Sequence, residues 1–380
     1  MRVVNKAQIV GISLVVGFLA YAEDSSYSVK GLTKPAEILV DTWGVPHIYA
    51  QTHYDAFFAQ GFNAARDRLW QIDLWRLRGL GELSAALGAR YLEQDKAARL
   101  FLYRGDMYRE WLAYGSDAKR IAEAFTAGIN AYIDTLADHP ELTPPEFGLL
   151  GYAPAIWSPE DVVRIRSNGL WRNVVNEVRR AQIACKLGLD AAPLWKVLEP
   201  QWETRIPIGL DPCDIPEAVL DLYLLAKAPV PFDEPTPGLA RTWTDEPGTD
   251  LGSNNWVVAG NRTATGRPIL ADDPHRGHAV PSLRYLAHLV APGLNVIGAG
   301  EPALPGISIG HNERIAFGLT IFPIDQEDLY VYERVENDYL YRGRCVPLKT
   351  LTDSVVIRGA PVDLVTLEFT RHGPVVFKSE

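Results

Sequence analysis

Sulfur and positive charge are both scarce in this chain, and each shortage closes off a class of protein. There are 3 cysteines (Cys185, Cys213, Cys345) and 2 methionines among 380 residues. So few cysteines cannot staple a scaffold of this length. None stands in CxxC spacing, so a structural zinc site has no ligand framework. Lys+Arg number 37 against 47 Asp+Glu, a net charge of −10, and nucleic-acid binding lacks the cationic footprint it needs. There is no internal repeat, no low-complexity tract and, beyond the N-terminal segment, no apolar run long enough to span a bilayer. What is present is core material. The chain is 47% hydrophobic with 10 Trp, 16 Tyr and 12 Phe, which excludes wholesale disorder. At ~150 residues per domain the length suggests two or three domains.

The first residues read as an export signal. Arg2 and Lys6 precede an apolar stretch from Ile9 to Leu19, and Ala20-Tyr21-Ala22 has the A-x-A pattern of a cleavage site. The apolar segment falls short of the ~20 residues of a spanning helix, so residues 1–22 are expected to be removed and the protein to be periplasmic or secreted, without a stable membrane anchor. Cys185 and Cys213 would then meet an oxidising compartment and pair, leaving Cys345 over. The competing reading is three small buried hydrophobes.

Residues 37–51 place two apolar runs around a Gly-Val-Pro turn, which predicts two short strands. From Asp55 the pattern turns helical, with Phe58, Phe62, Ala65, Leu69, Ile72 and Trp75 at three- and four-residue steps. Further helices are expected over 117–137, 159–187 and 214–227. Residues 229–252 carry five prolines and no periodicity, a linker composition. Strands are expected after it at Asn255–Ala259, Pro268–Leu270, Leu283–Val290, Asn295–Ile297, Asp328–Val335, Ser354–Ile357 and Val362–Phe369. Segregated helices and strands favour an α+β fold over a doubly wound sheet.

Three patterns invite over-reading. Gly306-Ile307-Ser308-Ile309-Gly310 matches G-x-S-x-G, but the strand-in, helix-out context of a nucleophile elbow is missing. Asp272, Asp273, His275 and His278 imitate a metal cluster in a Pro-containing turn, where a solvated loop is the simpler reading. His47, beside the Gly-Val-Pro turn, reads as a hydrogen-bonded structural histidine. A different signal lies at Gly252-Ser253-Asn254-Asn255-Trp256, where the linker meets a strand. Cutting Gly252–Ser253 would make Ser253 N-terminal, and its own α-amine (pKa ~7.7–8.0 unperturbed) would serve as base for its hydroxyl. By spacing alone, Gly-Ser at a linker edge is commonplace.

Several motifs in order give that signal weight. Asp41-Thr42-Trp43-Gly44-Val45-Pro46-His47-Ile48, Gln60-Gly61-Phe62, Ala65 to Gln71, Gly79-Leu80-Gly81-Glu82-Leu83, Gly252 to Trp256, and Pro305-Gly306 followed by Gly310-His311-Asn312 together resemble the penicillin acylase (penicillin amidase) family of N-terminal-nucleophile hydrolases. The resemblance runs along nearly the whole chain after residue 22. It implies a four-layer αββα sandwich, incomplete here, and a precursor cut into an α-subunit (residues 23–228, mainly helical), an excised spacer (229–252) and a β-subunit from 253 onward. It implies an α/β heterodimer that hydrolyses a small linear amide through an acyl-enzyme on Ser253.

Other roles are carried over residue by residue. Ile321 falls where the family uses a backbone N–H in the oxyanion hole, which any side chain permits. His275 falls where members carry Gln or His beside the nucleophile. Asp325, Glu327 (through its carbonyl) and Asp328 resemble a structural calcium loop, with Glu177 as the α-subunit carboxylate that reaches it; hard oxygens suit Ca²⁺. No organic cofactor is implied. In the acyl pocket Trp171 keeps an aromatic wall, whereas Arg276 and Ser308 replace an aromatic and an aliphatic residue, which points to a more polar, anionic acyl group. The alternatives are an N-acyl homoserine lactone or lipopeptide acylase, or a truncated non-catalytic exported relative. The family's oxyanion-hole Asn and its neighbouring Arg come downstream of Glu380, so residues 1–380 by themselves are expected to be inactive.

Overall fold

The computed structural model describes residues 1–5, 25–167, 173–195, 202–232, 252–275, 279–321 and 325–379. The apolar N-terminal stretch with Ala20-Tyr21-Ala22, Trp171, residues 233–251 of the spacer, and Arg276 lie outside them. The chain divides into two compact units, each built from three separated segments: 1–76, 104–165 and 242–321 in the first, and 77–103, 166–241 and 322–380 in the second.

In the first unit the strands are β1 (Arg2–Asn5), β2 (Ser25–Ser26), β3 (Glu37–Val40), β4 (Pro46–Tyr49), β5 (Ser253–Val258), β6 (Ile269–Pro274), β7 (Tyr285–Ala291), β8 (Leu294–Gly300), β9 (Ile309–His311) and β10 (Ala316–Phe317). Eight of them form one sheet in the order β10-β9-β8-β7-β4-β3-β1-β2, while β5 and β6 pair separately. The turn read at Gly-Val-Pro joins β3 to β4, with Ile38 opposite Ile48. Asp41 Oδ1 closes that turn by accepting the N–H groups of Trp43 (2.8 Å) and Val45 (2.9 Å), and these bonds help hold its carboxyl below the usual range.

Two long helices, His53–Leu80, kinked at Arg68, and Ala118–Thr135, share a core with this sheet in which Phe58, Phe62, Leu69, Ile72, Phe125, Ile129 and Ala287 are all sealed from solvent. The helices cross where neither has a side chain. A Cβ on Gly61 would overlap the Phe125 carbonyl oxygen, and a Cβ on Gly128 would overlap that of Phe58. Thr52 and Asp55 cap the first helix reciprocally, Asp55 N donating to Thr52 Oγ1 (3.0 Å) and Thr52 Oγ1 to Asp55 Oδ2 (2.7 Å). Gln60 clamps the Pro305-Gly306 loop, donating to Gly306 O (2.9 Å) and accepting from Gly306 N (2.8 Å).

The second unit carries the helices Leu92–Phe101, Asn173–Leu187 and Asp221–Lys227 and the strands β11 (Arg334–Val335), β12 (Asp338–Tyr341), β13 (Arg344–Pro347), β14 (Lys349–Val355), β15 (Asp363–Thr370) and β16 (Gly373–Pro374). These strands make two three-stranded sheets, β11-β12-β13 and β14-β15-β16. Val174, Val178, Val219, Leu220 and Tyr223 form its helical core. Cys185 and Cys213 are joined by a disulfide, and Cys345 is free and exposed. Buried Asp95 accepts from Leu83 N (2.9 Å), Ser84 N (2.6 Å) and Ser84 Oγ (2.5 Å), so it pins the chain just after Gly79-Leu80-Gly81.

The α+β class is therefore observed, with corrections in detail. β3 and β4 precede the helices as expected; what the sequence did not show is that β4 pairs parallel with β7, His47 opposite His288. The expected strand Asp328–Val335 shrinks to Arg334–Val335, because Tyr330 and Tyr332 stack with His372 instead of entering a ladder. The helix expected over 214–227 begins only at Asp221. Of the 159–187 helix, Pro159–Ser167 and Asn173–Leu187 are helical, with 168–172 outside the described residues.

Candidate active site

Ser253 opens β5, half-buried, in register with Pro274 of β6. Its Oγ donates to the carbonyl oxygen of Gly252 at 2.7 Å, so the hydroxyl rests against the Gly252–Ser253 peptide group. Gly252 has no side chain to intervene. A Cβ there would stand 3.8 Å from His275 Nδ1, the nearest heavy atom outside its own neighbours. His275 follows β6 directly. Its Nε2 lies 3.0 Å from Asp273 Oδ2 and 3.3 Å from Asn254 Nδ2. Donation to the carboxylate is the charge-assisted choice, and that tautomer leaves Nδ1 as the acceptor facing Gly252. The sequence-predicted pair Ser253 and His275 is thus brought together by the β5–β6 hairpin, with Asp273 as the hydrogen-bond partner of His275 that the motif reading missed. Asp-Pro-His was the available signal for Asp273.

Ile321 is half-buried at the end of the described segment 279–321. Three residues earlier the backbone presses on the hairpin, since a Cβ on Gly318 would stand 2.5 Å from Asp272 Cγ and 2.6 Å from Asn255 Nδ2. Ser308 precedes β9, and its N–H donates to Ala299 O (2.9 Å). It opens a strand and no helix, so the G-x-S-x-G match is not a nucleophile elbow. His47 is also accounted for structurally: Nδ1 meets His288 Nδ1 at 2.9 Å and Nε2 lies 3.4 Å from Asp41 Oδ2.

In the second unit one amide gathers most of the expected calcium loop. Asn173 Nδ2 donates to Glu177 Oε1 (2.5 Å), Asp325 Oδ1 (3.0 Å) and the Glu327 carbonyl (2.7 Å). Its Oδ1 accepts from Glu327 N at 3.0 Å. Burial raises the Glu177 carboxyl, the Asn173 bond opposes this, and the charges of Asp325, Asp328 and Glu327 push it further up. Three hard oxygens converging on one point suit Ca²⁺ by chemistry. The Glu327 carboxylate accepts from Tyr223 OH (2.8 and 2.9 Å) and Lys227 Nζ (3.5 Å), and Asp328 Oδ2 lies 3.5 Å from Tyr330 OH. Among the described residues no group of three or more His, Cys, Asp or Glu is arranged to hold a metal ion. Asn173, one helical turn before Glu177, was invisible to sequence reasoning because nothing local marks it.

Comparison with known proteins places these motifs. The sequence profile of a family described as Penicillin amidase matches residues 35–380. The chain is 34% identical over 368 residues to penicillin acylase 2 proenzyme of Pseudomonas sp. strain SE83, covering 92% of this chain and 45% of that protein. It is 29% identical over 356 residues to the acyl-homoserine lactone acylase QuiP of Pseudomonas aeruginosa, covering 92% of this chain and 41% of that one. A solved structure of thermostable penicillin G acylase from Alcaligenes faecalis aligns with 46% of this chain and 96% of its own, at 27% identity and a TM-score of 0.37. The chain spans about half the length of the curated relatives it matches. With the family profile covering residues 35–380, the chain belongs to the penicillin amidase family.

Proposed function

We propose that this is the N-terminal portion of an exported amidohydrolase that cleaves its own Gly252–Ser253 bond and then uses Ser253 to hydrolyse a linear amide. The carrying observation is the 2.7 Å hydrogen bond from Ser253 Oγ to the Gly252 carbonyl oxygen, beside His275. Attack of Oγ on the Gly252 carbonyl breaks the peptide bond and leaves Gly252 esterified to Ser253. Water hydrolyses that ester, giving a free Gly252 carboxylate and a free Ser253 α-amine. The α-amine then takes the hydroxyl proton as Ser253 attacks the substrate carbonyl; the amine product leaves, and a second water frees the acid. The backbone N–H of Ile321 would serve the oxyanion.

β4 and β7 lie on opposite sides of the cut and are hydrogen-bonded neighbours, which supports an α/β heterodimer held in one sheet. Glu177, Asp325 and the Glu327 carbonyl would hold Ca²⁺ as a structural ion, supplying charge neutralisation and no chemistry of the reaction. The Cys185–Cys213 disulfide supports an oxidising compartment, and no helix of the described residues is long and apolar enough to cross a membrane.

The relatives named for penicillin and for acyl-homoserine lactones support two substrate classes, a β-lactam N-acyl side chain and an N-acyl homoserine lactone, beside the lipopeptide acyl chain already considered. Intact mass and N-terminal sequencing of the full-length protein from its source should show two chains, one starting at Ser253. Ser253→Ala should stay uncut. Parallel hydrolysis of phenylacetyl anilide, glutaryl anilide and N-acyl homoserine lactones then assigns the substrate. A single uncut wild-type chain would overturn the reading.

A further inference from the structure

Asp272 is the neighbour of this site that nothing so far explains. Both of its carboxylate oxygens are sealed from solvent without a hydrogen-bond partner among the described residues. It stands opposite Asn255 in the β5–β6 register, as Pro274 stands opposite Ser253. In an antiparallel pair, directly opposed residues and those two further along share a face, so Asp272 is the diagonal same-face neighbour of Ser253, with Cα atoms ~7–8 Å apart. Gly318 closes over it, its absent Cβ leaving room for Asp272 Cγ and Asn255 Nδ2. Gly318 also belongs to the segment that carries Ile321. A buried carboxylate without a donor is costly unless a cation lies near.

We infer that Asp272 is a positioning residue whose counter-charge is the α-ammonium of Ser253, a group that exists only after the Gly252–Ser253 bond is cut. This rests on the reading of Ser253 as an N-terminal nucleophile. Before the cut, residue 253 offers this face a neutral amide; afterwards it offers an amine that becomes cationic each time it takes the hydroxyl proton. The Asp272 carboxylate stabilises that cation as it forms and orients it, the role the triad aspartate has toward its histidine. Among the described residues the nearest other ionisable groups on the hairpin are His275, directly after β6, and Asp273, which stands opposite Asn254 on the other face and contacts the His275 ring. Residues 316–321 contribute none. Charges ~7 Å apart at an effective dielectric of ~20–40 shift a titration by about one to two units.

The test uses the full-length, processed enzyme and whichever amide proves a substrate. Asp272→Asn should be cut and folded like wild type, with kcat down ~10-fold or more, KM little changed, and the acidic limb of the kcat/KM profile moved about one unit or more to lower pH. Asn255→Ala, on the same face without a charge, should leave that limb in place. A second measurement needs no variant at Asp272: in wild type the Ser253 α-amine, followed by the pH dependence of its reductive methylation, should titrate above the ~8.0 of an unperturbed terminus. An unmoved limb in Asp272→Asn, or a wild-type amine titrating at or below ~7.7, overturns the inference while leaving the nucleophile intact. A wild-type chain that is never cut overturns the underlying reading instead.

Discussion

The crossing of the two long helices of the first unit allows a sharp test of how the core is held. Replacing Gly61 by alanine puts a methyl group 2.8 Å from Phe125 C and 3.1 Å from Phe125 Cα, besides overlapping the carbonyl oxygen. Carbon atoms prefer ~3.5–4.0 Å, and the obstacle is helix backbone, which no rotamer change can clear. The helices must separate by about 1 Å, and Phe58, Phe62, Phe125 and Ile129, all fully buried around the crossing, lose part of their contact. Overpacking of this kind costs up to ~3 kcal/mol. Alanine recovers ~1 kcal/mol of helix propensity, so the net loss should be about 2 kcal/mol, near 30-fold in the folded ratio. Gly148 is the control, because it lies in the Pro145–Leu150 helix with open space where its Cβ would be. There the same substitution should gain up to ~1 kcal/mol. Urea unfolding of the full-length Ser253→Ala chain, kept uncut so that one polypeptide unfolds, should lower the midpoint for Gly61→Ala and raise it slightly for Gly148→Ala. Adding Gly128→Ala to Gly61→Ala should cost less than the sum, since both methyl groups press on the same crossing. If Gly61→Ala were no more damaging than Gly148→Ala, the close-approach argument would be wrong.

Two further perturbations follow from named contacts. Asn173→Asp replaces the amide among Glu177, Asp325 and the Glu327 carbonyl by another hard oxygen, so the difference in melting temperature between calcium-saturated and chelated full-length protein should widen; no calcium dependence in either protein would refute the site. Burial alone would raise the Asp55 carboxyl, but the Thr52 and Thr33 hydroxyls and the Thr33 N–H hold it below its ordinary value. A depressed folded-state value means a stabilisation that is present above ~3.9 and lost as pH falls through the folded value. Asp55→Asn should therefore be less stable than wild type by ~1–2 kcal/mol at pH 7 and converge with it under acid, checked by urea midpoints across pH.

The helices His53–Leu80 and Ala118–Thr135 were legible because their apolar residues recur with the helical period over several turns, and the β3–β4 hairpin because its turn chemistry is local. Strands Asp338–Tyr341 and Arg344–Pro347 escaped notice: each is short and interrupted by polar residues, and they are joined only by Arg342-Gly343. Leu329 to Val335 misled in the other direction, since alternating aromatic and apolar residues read as a strand whether they enter a ladder or stack on a histidine. At the site, Ser253 and His275 were legible only through the family resemblance, since spacing alone left Gly252-Ser253 a commonplace linker edge and His275 part of a solvated turn. Asn173 and Asp272 were not legible, because an asparagine 152 residues from Asp325 and an aspartate under a distant glycine acquire meaning only through long-range contact. Gln60 and Gly61 show the converse. Their motif was recognisable, while its reasons, a loop clamp and a helix crossing, were not.

If Gly252–Ser253 is severed as proposed, the adjacency of β4 and β7 would change the molecularity of the fold. A sheet whose central seam joins His47-Ile48-Tyr49 to His288-Leu289-Val290 would then be a duplex of two polypeptides, and its unfolding would become a dissociation. Refolding of the uncut chain would be first order; after such a cut the halves would have to find each other, so recovery would depend on concentration and compete with aggregation of the exposed strands. On the proposed processing, the cut would act as a one-way valve: the chain would fold as a precursor and persist as a complex whose durability is set by the rate at which that seam opens.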